Sequence, residues 1–121
     1  MKHEYHDQRS LDLHRRVAAK MLQDPSLLPR AISILDRWRS IASPRTMPYY
    51  DTWHHLLHLG LEEVLRFAVE ESERATAHRQ ASPLSCLLTA KERIQFLREW
   101  KQNNETRRSR AYSSSGSRNY E

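Results

Sequence analysis

Glycine is scarce in this chain, and its scarcity limits the folds and sites that the chain can form. Only two of the 121 residues are glycine, whereas glycine makes up about 7% of an average protein. Phosphate-binding loops and dinucleotide-binding motifs need several closely spaced glycines, so both are excluded. Folds built from many short strands need glycine-rich turns, which disfavours an all-β protein. We therefore expect a mainly helical protein.

Apolar residues recur at helical spacing along most of the chain, and the pattern predicts a bundle of about five helices. Ser10 is the predicted N-cap of the first helix, and the prolines within 43–48 mark a linker between helices. Thr89–Glu92 has the capping-box pattern and begins the last predicted helix. We predict an all-α, single-domain bundle over residues 10–102, preceded by a flexible N-terminus at residues 1–9.

The C-terminal segment, residues 103–121, has a different composition. It contains no aliphatic residue larger than alanine and includes the run Ser-Ser-Ser-Gly-Ser. Such a segment cannot bury enough apolar surface to offset the entropy of ordering. We predict that the last helix ends near Gln102 and that a disordered, basic, Arg/Ser-rich tail follows.

Three features bear on the compartment. No stretch approaches the roughly 20 apolar residues of a membrane span. The first residues have no apolar core of the kind found in signal peptides. The single cysteine, Cys86, cannot form an internal disulfide, and its leucine neighbours predict a buried thiol. We expect a cytoplasmic protein that does not associate with membranes.

The charge is basic, with a formal net value of +5, and sixteen of the twenty cationic residues are arginine. Within residues 10–102 the cations alternate with acids, as on ordinary solvated helix faces. In the tail, arginines lie close to tyrosines, which is typical of segments that contact phosphates and stack on bases. These arginines are Arg107, Arg108, Arg110 and Arg118. Nucleic-acid binding through the tail is therefore one possible function, and a merely solvating tail is the other interpretation.

A histidine-rich segment carries the candidate metal ligands. Asp51, His55 and His58 lie at positions i, i+4 and i+7 and share one face of a helix, a spacing that can hold a divalent ion. However, a metallopeptidase helix needs His-Glu-x-x-His with the acid as general base, and this segment reads His54-His55-Leu56-Leu57-His58. We favour a polar helix face over a metal site and expect no cofactor.

An enzymatic interpretation depends on Arg9 and His14, whose Arg-x4-His spacing resembles that of the HEPN class of small helical ribonucleases. In that class the histidine acts as general acid and base and the arginine stabilises the phosphate charge. A chance match is expected in a chain with sixteen arginines and seven histidines. We therefore predict that the protein is not an enzyme. A small ribonuclease remains an alternative function, after protein binding and nucleic-acid binding.

The segment Ser72–Arg93 is unusually rich in specific polar residues. It resembles a segment of small bacterial helical proteins that share Ser-x-Arg, then Arg-Gln-Ser-Ser-Pro-Phe, a short apolar run and Leu-Thr-x-x-Glu-Arg. Leu13–Lys20 and the tryptophan of the second predicted helix fit the same group, whereas Ala81 and Leu84 depart from it. Members lie beside toxin-type genes, so the resemblance implies an antitoxin-like protein that binds and neutralises a partner toxin encoded nearby.

Five polar residues of this segment form the predicted partner-binding site. They cluster at a helix end and in the following loop, where binding residues are often found. They are Arg74, His78, Arg79, Gln80 and Ser82. The alternative is that the arginines pair with the acids at 70–73 and cap backbone carbonyls. We predict a non-enzymatic protein-binding module.

Overall fold

A computed structural model describes the backbone of residues 2–119 and the side chains of residues 4–106. The helices are α1 (Lys2–Gln23), α2 (Leu27–Ile41), α3 (Met47–Leu59), α4 (Leu61–Ala68), α5 (Glu73–Arg79) and α6 (Ala90–Asn119), with a 3₁₀ turn at Pro83–Cys86. No strand occurs in this described part of the chain, so the predicted all-α class is confirmed, with six α-helices instead of about five. None of the described helices is long and apolar enough to cross a membrane.

The chain consists of two compact units, residues 1–88 and 89–121. The first unit contains α1 to α5 and the 3₁₀ turn, and the second contains α6. All the described side chains discussed below as a candidate site belong to the first unit.

Trp53 lies at the centre of the first unit's core. Its side chain is completely buried, and its ring packs edge-on against Phe67 of α4, with 5.4 Å between ring centroids. The indole Nε1 donates a hydrogen bond to the carbonyl of His78 at 2.9 Å, which satisfies the polar group of a buried tryptophan. Trp53 therefore connects α3 with α4 and α5.

The predicted start of the last helix at the Thr89–Glu92 capping box is confirmed. Thr89 and Glu92 form a reciprocal capping box: the Thr89 amide donates to Glu92 Oε1 at 2.8 Å, and the Glu92 amide donates to Thr89 Oγ1 at 3.1 Å. Gly60 separates α3 from α4 and has a φ of 123°. That conformation is open to glycine and strained for residues with a side chain.

The outer limits of α1 and α6 differ from the prediction. The first helix begins at Lys2 instead of Ser10, and α6 continues to Asn119 where the sequence predicted a disordered tail after Gln102. Both predictions were based on the low content of apolar residues in these two segments. Helical hydrogen bonds are local, however, and need neither a buried face nor long-range contacts. Local side-chain pairs such as Gln8 with Asp12, at 3.2 Å, add to the first turns of α1.

The 3₁₀ turn corrects the prediction for Cys86, whose thiol is exposed. Pro83 and Leu84 are buried in the turn, and Leu87 is buried directly after it. With these neighbours directed inward, the tight turn leaves Cys86 on the outside.

Candidate protein-binding site

Arg79 lies inside the first unit, although the sequence predicted it as a partner contact. Only 5% of its surface is exposed. Its Nη1 donates to the carbonyls of Ala68 at 3.2 Å and Glu70 at 2.8 Å, and its Nη2 donates to Thr76 Oγ1 at 3.1 Å. Carbonyls at a helix C-terminus have no partner within the helix, so Arg79 acts as a cap for the end of α4. Burial lowers the pKa of its guanidinium.

Ser82 is also removed from the predicted binding surface. It is 2% exposed, and its Oγ accepts a hydrogen bond from the Leu84 amide at 3.1 Å. Ser82 therefore caps the 3₁₀ turn. A serine that precedes a proline can cap a turn or contact a partner. The local sequence is the same in both cases, so the sequence alone could not distinguish the two roles.

Arg74 and His78 remain at the surface, on one face of α5. The Arg74 guanidinium lies over the Phe67 ring, 5.0 Å from its centroid. The His78 ring packs edge-on against Tyr49 at 5.0 Å and against Phe67 at 5.4 Å. We call the group formed by Tyr49, Phe67, Arg74 and His78, of which Phe67 is buried, the aromatic patch. It combines residues from α3, α4 and α5.

The ring of His78 is held in one orientation by its own helix. Its Nδ1 lies 2.7 Å from the carbonyl of Arg74. A carbonyl can only accept, so Nδ1 carries a proton, and in the neutral ring Nε2 is then an acceptor. Packing against Tyr49 and Phe67 restrains the same ring from the other elements. The patch is therefore ordered before any partner binds.

Arg74 has no ion-pair partner among the residues whose side chains are described. Among the described residues, Arg74 forms no ion pair with the acids that precede it. Glu71 instead pairs with Arg15 at 2.7 Å, and Glu70 accepts from Ser72 Oγ at 2.6 Å. A cation over an aromatic face is stabilised by the ring, and its outer donors stay available for a carboxylate. The predicted pairing of Arg74 with Glu70 to Glu73 is therefore absent from the described part of the chain.

Gln80 lies on a different side of α5 from the aromatic patch. It lines a cleft of about 820 Å³ between the N-terminal part of α1 and α5, where its Nε2 donates to Asp7 Oδ1 at 3.4 Å. Glu4, Glu71 and Glu73 also line this cleft and make it acidic. The five predicted binding residues are thus not one site: Arg74 and His78 belong to the patch, Gln80 lines the cleft, Arg79 lines the cleft and caps backbone carbonyls, and Ser82 caps the 3₁₀ turn.

The Arg9 and His14 pair does not form the ribonuclease site that its spacing suggested. His14 is 1% exposed, its ring stacks on Trp53, and its Nδ1 donates to the Ser10 carbonyl at 2.7 Å. Burial lowers the pKa of His14 to about 4. The Arg9 guanidinium lies 6.0 Å from the Tyr5 ring centroid. A general acid must reach its substrate and titrate near the working pH, and His14 meets neither condition.

The candidate metal ligands are not brought together. Asp51 forms an ion pair with Arg39 at 3.0 Å, and His58 Nδ1 donates to the carbonyl of His54 at 2.8 Å. His55 is exposed. In the part of the chain whose side chains are described, no three His, Cys, Asp or Glu residues are grouped as metal ligands.

The predicted nucleic-acid contacts Arg107, Arg108, Arg110 and Arg118 lie outside the residues whose side chains are described. Nucleic-acid binding through them stays a prediction.

Comparison with known proteins finds no match: no family model, curated protein or solved structure matches this chain. The resemblance to antitoxin-like proteins therefore also stays a prediction.

Tyr49 and Phe67 belong to the patch but were not predicted. Tyr49 follows a proline near the start of α3, and Phe67 lies near the end of α4, so both have the pattern of ordinary helix residues. The spacing of Arg74 and His78 does predict that these two share a face. Which rings face them depends on how three helices pack, and a single sequence does not contain that information.

Proposed function

We propose that this chain is a non-enzymatic protein-binding module with an antitoxin-like role, and that it binds a partner protein through the aromatic patch. The observation that carries the proposal is the position of Arg74. Its guanidinium lies over Phe67 beside the exposed Tyr49, with no acidic partner among the described residues. Tyrosine and arginine are the residue types that contribute most often to protein interfaces.

The restrained geometry of the patch favours binding. Ordering a long side chain at an interface costs about 0.5–1.5 kcal/mol. Contact with Phe67 already restricts Arg74, and the contacts of His78 with Tyr49 and Phe67 restrict both of those rings. We infer that the partner presents a carboxylate to Arg74 and apolar surface to Tyr49.

Most of the specific polar residues of Ser72–Arg93 are used in folding, and Arg74 is an exception. Ser72, Arg79, Ser82 and the Thr89–Glu92 box all cap backbone groups. These residues are needed to fold the segment. The Arg74 guanidinium contacts a ring and caps no helix among the described residues, which leaves it free for recognition. The function proposed for it is neutralisation of a toxin-type partner by direct binding.

The test is binding to the protein encoded by the adjacent gene. Co-expression, pull-down and calorimetry compare the wild type with Arg74→Ala and Tyr49→Ala. Each is expected to weaken binding by about 2 kcal/mol, or about thirtyfold in Kd. Arg37→Ala, which removes an exposed arginine from α2, is the matched control and should bind normally. Wild type and Arg37→Ala should restore the growth of cells that express the partner, whereas Arg74→Ala and Tyr49→Ala should restore it less.

Normal binding by both patch variants would refute the proposal. Loss of binding on removal of Arg107, Arg108 and Arg110 instead, with steep weakening by salt, would favour the nucleic-acid alternative.

A further inference from the structure

An apolar groove lies between α1 and α4, away from the aromatic patch. Ala18 and Leu22 form one wall, and Leu61, Leu65 and Val69 form the other, around a volume of about 650 Å³. Leu22 is 66% exposed, although Met21 beside it is completely buried. A protruding leucine beside an open apolar groove is typical of a surface that another chain covers.

The charged residues at the edge of the groove indicate which partner chain can cover the groove. Glu62 and Arg66 line it, one helical turn apart on α4, and pair with each other at 2.9 Å. When two copies of α4 run antiparallel across a twofold axis, Glu62 of one copy faces Arg66 of the other, and the reverse also holds. The charge pattern of this surface is therefore complementary to itself.

We propose that this groove is the interface of a symmetric homodimer, in which Leu22 of each copy enters the groove of the other. A twofold interface uses the same surface on both subunits, so it needs a protruding group and a receiving groove on one face. Leu22 and the α1–α4 groove provide both. Apolar side chains at the centre with Glu62 and Arg66 at the edge match the arrangement of an apolar core within a polar rim.

The first test is oligomeric state by sedimentation and light scattering, from about 1 μM to about 1 mM, which covers weak dimers. The wild type is expected to dimerise, and Leu22→Asp is expected to stay monomeric. Ile41→Asp is the matched control because Ile41 is 85% exposed and does not line the groove. It should dimerise like the wild type, and thermal melts should show that both variants fold.

Charge reversal tests the register of the two α4 helices. Glu62→Arg and Arg66→Glu should each weaken self-association at least tenfold, because each places like charges opposite one another. An equimolar mixture of the two variants should restore dimers, since every cation then faces an acid. Both positions are exposed, with side chains 85% and 61% accessible, so folding is retained.

Three results would overturn the dimer. They are a wild type that is monomeric over the whole range, a dimer that persists in Leu22→Asp, and a mixture of the charge variants that fails to associate. A monomeric wild type whose Leu22→Asp variant no longer captures the adjacent-gene product would instead assign the groove to that partner.

Discussion

His14 is a buried histidine that folding holds in its neutral form. Its ring is 1% exposed and stacked on Trp53, and its Nε2 has no hydrogen-bond partner among the described residues. A proton on this ring would add a buried charge close to Arg79, which also disfavours the charged form. Protonation of His14 is therefore unfavourable in the folded state and not in the unfolded chain.

This arrangement predicts a pH dependence of stability. The pKa of His14 is lowered from 6.5 to about 4 in the folded state, so the unfolded chain binds the proton more tightly. Above pH 6.5 the ring is neutral in both states, so His14 does not reduce the free energy of unfolding. As the pH falls towards about 4, proton uptake by the unfolded chain lowers the free energy of unfolding by about 3 kcal/mol in all. Denaturant unfolding at pH 7 and pH 4.5 should show a smaller pH dependence in His14→Phe than in the wild type. Equal pH dependence in the two proteins would contradict the prediction.

Arg79 and Arg74 lie five residues apart but have opposite roles. Arg79→Ala leaves the carbonyls of Ala68 and Glu70 without their donor, so we expect a loss of about 3 kcal/mol in the free energy of unfolding. Arg74→Ala removes only a surface contact with Phe67, and its effect should be about 0.5 kcal/mol. Chemical denaturation of the two variants measures both. Equal destabilisation would mean that Arg74 is also structural.

At the scale of elements, the helix ends that depend on local chemistry were predictable. The Thr89–Glu92 capping box involves residues three apart and needs no tertiary contact. Gly60 has a φ of 123°, which makes it the boundary between α3 and α4. The ends of α1 and α6 were not predicted, because low apolar content does not prevent local helical hydrogen bonding.

Gly60 provides a test at this scale. An added Cβ would meet no atom within 4 Å, so Gly60→Ala changes backbone strain without a steric clash. We expect a loss of about 1–2 kcal/mol in the free energy of unfolding, measured by denaturation. A neutral or stabilising effect would mean that α3 and α4 can join as one continuous helix.

At the scale of the whole chain, composition was enough to predict an all-α protein, whereas the site required tertiary structure. Arg79 and Ser82 have the sequence pattern of exposed binding residues, but packing directs both inward to cap backbone groups. Tyr49 and Phe67 come from helices distant in sequence, and only packing brings them to Arg74 and His78. The predicted cluster therefore held two of the four residues of the aromatic patch.

Site-specific photo-crosslinking tests whether a partner protein contacts the aromatic patch. A photoreactive phenylalanine analogue replaces Tyr49 in one variant and the exposed Ile41 in a second, and each is irradiated in cells that also express the adjacent gene. We expect position 49 to crosslink to the partner and position 41 not to do so. A crosslink from position 41 with none from position 49 would contradict the claim.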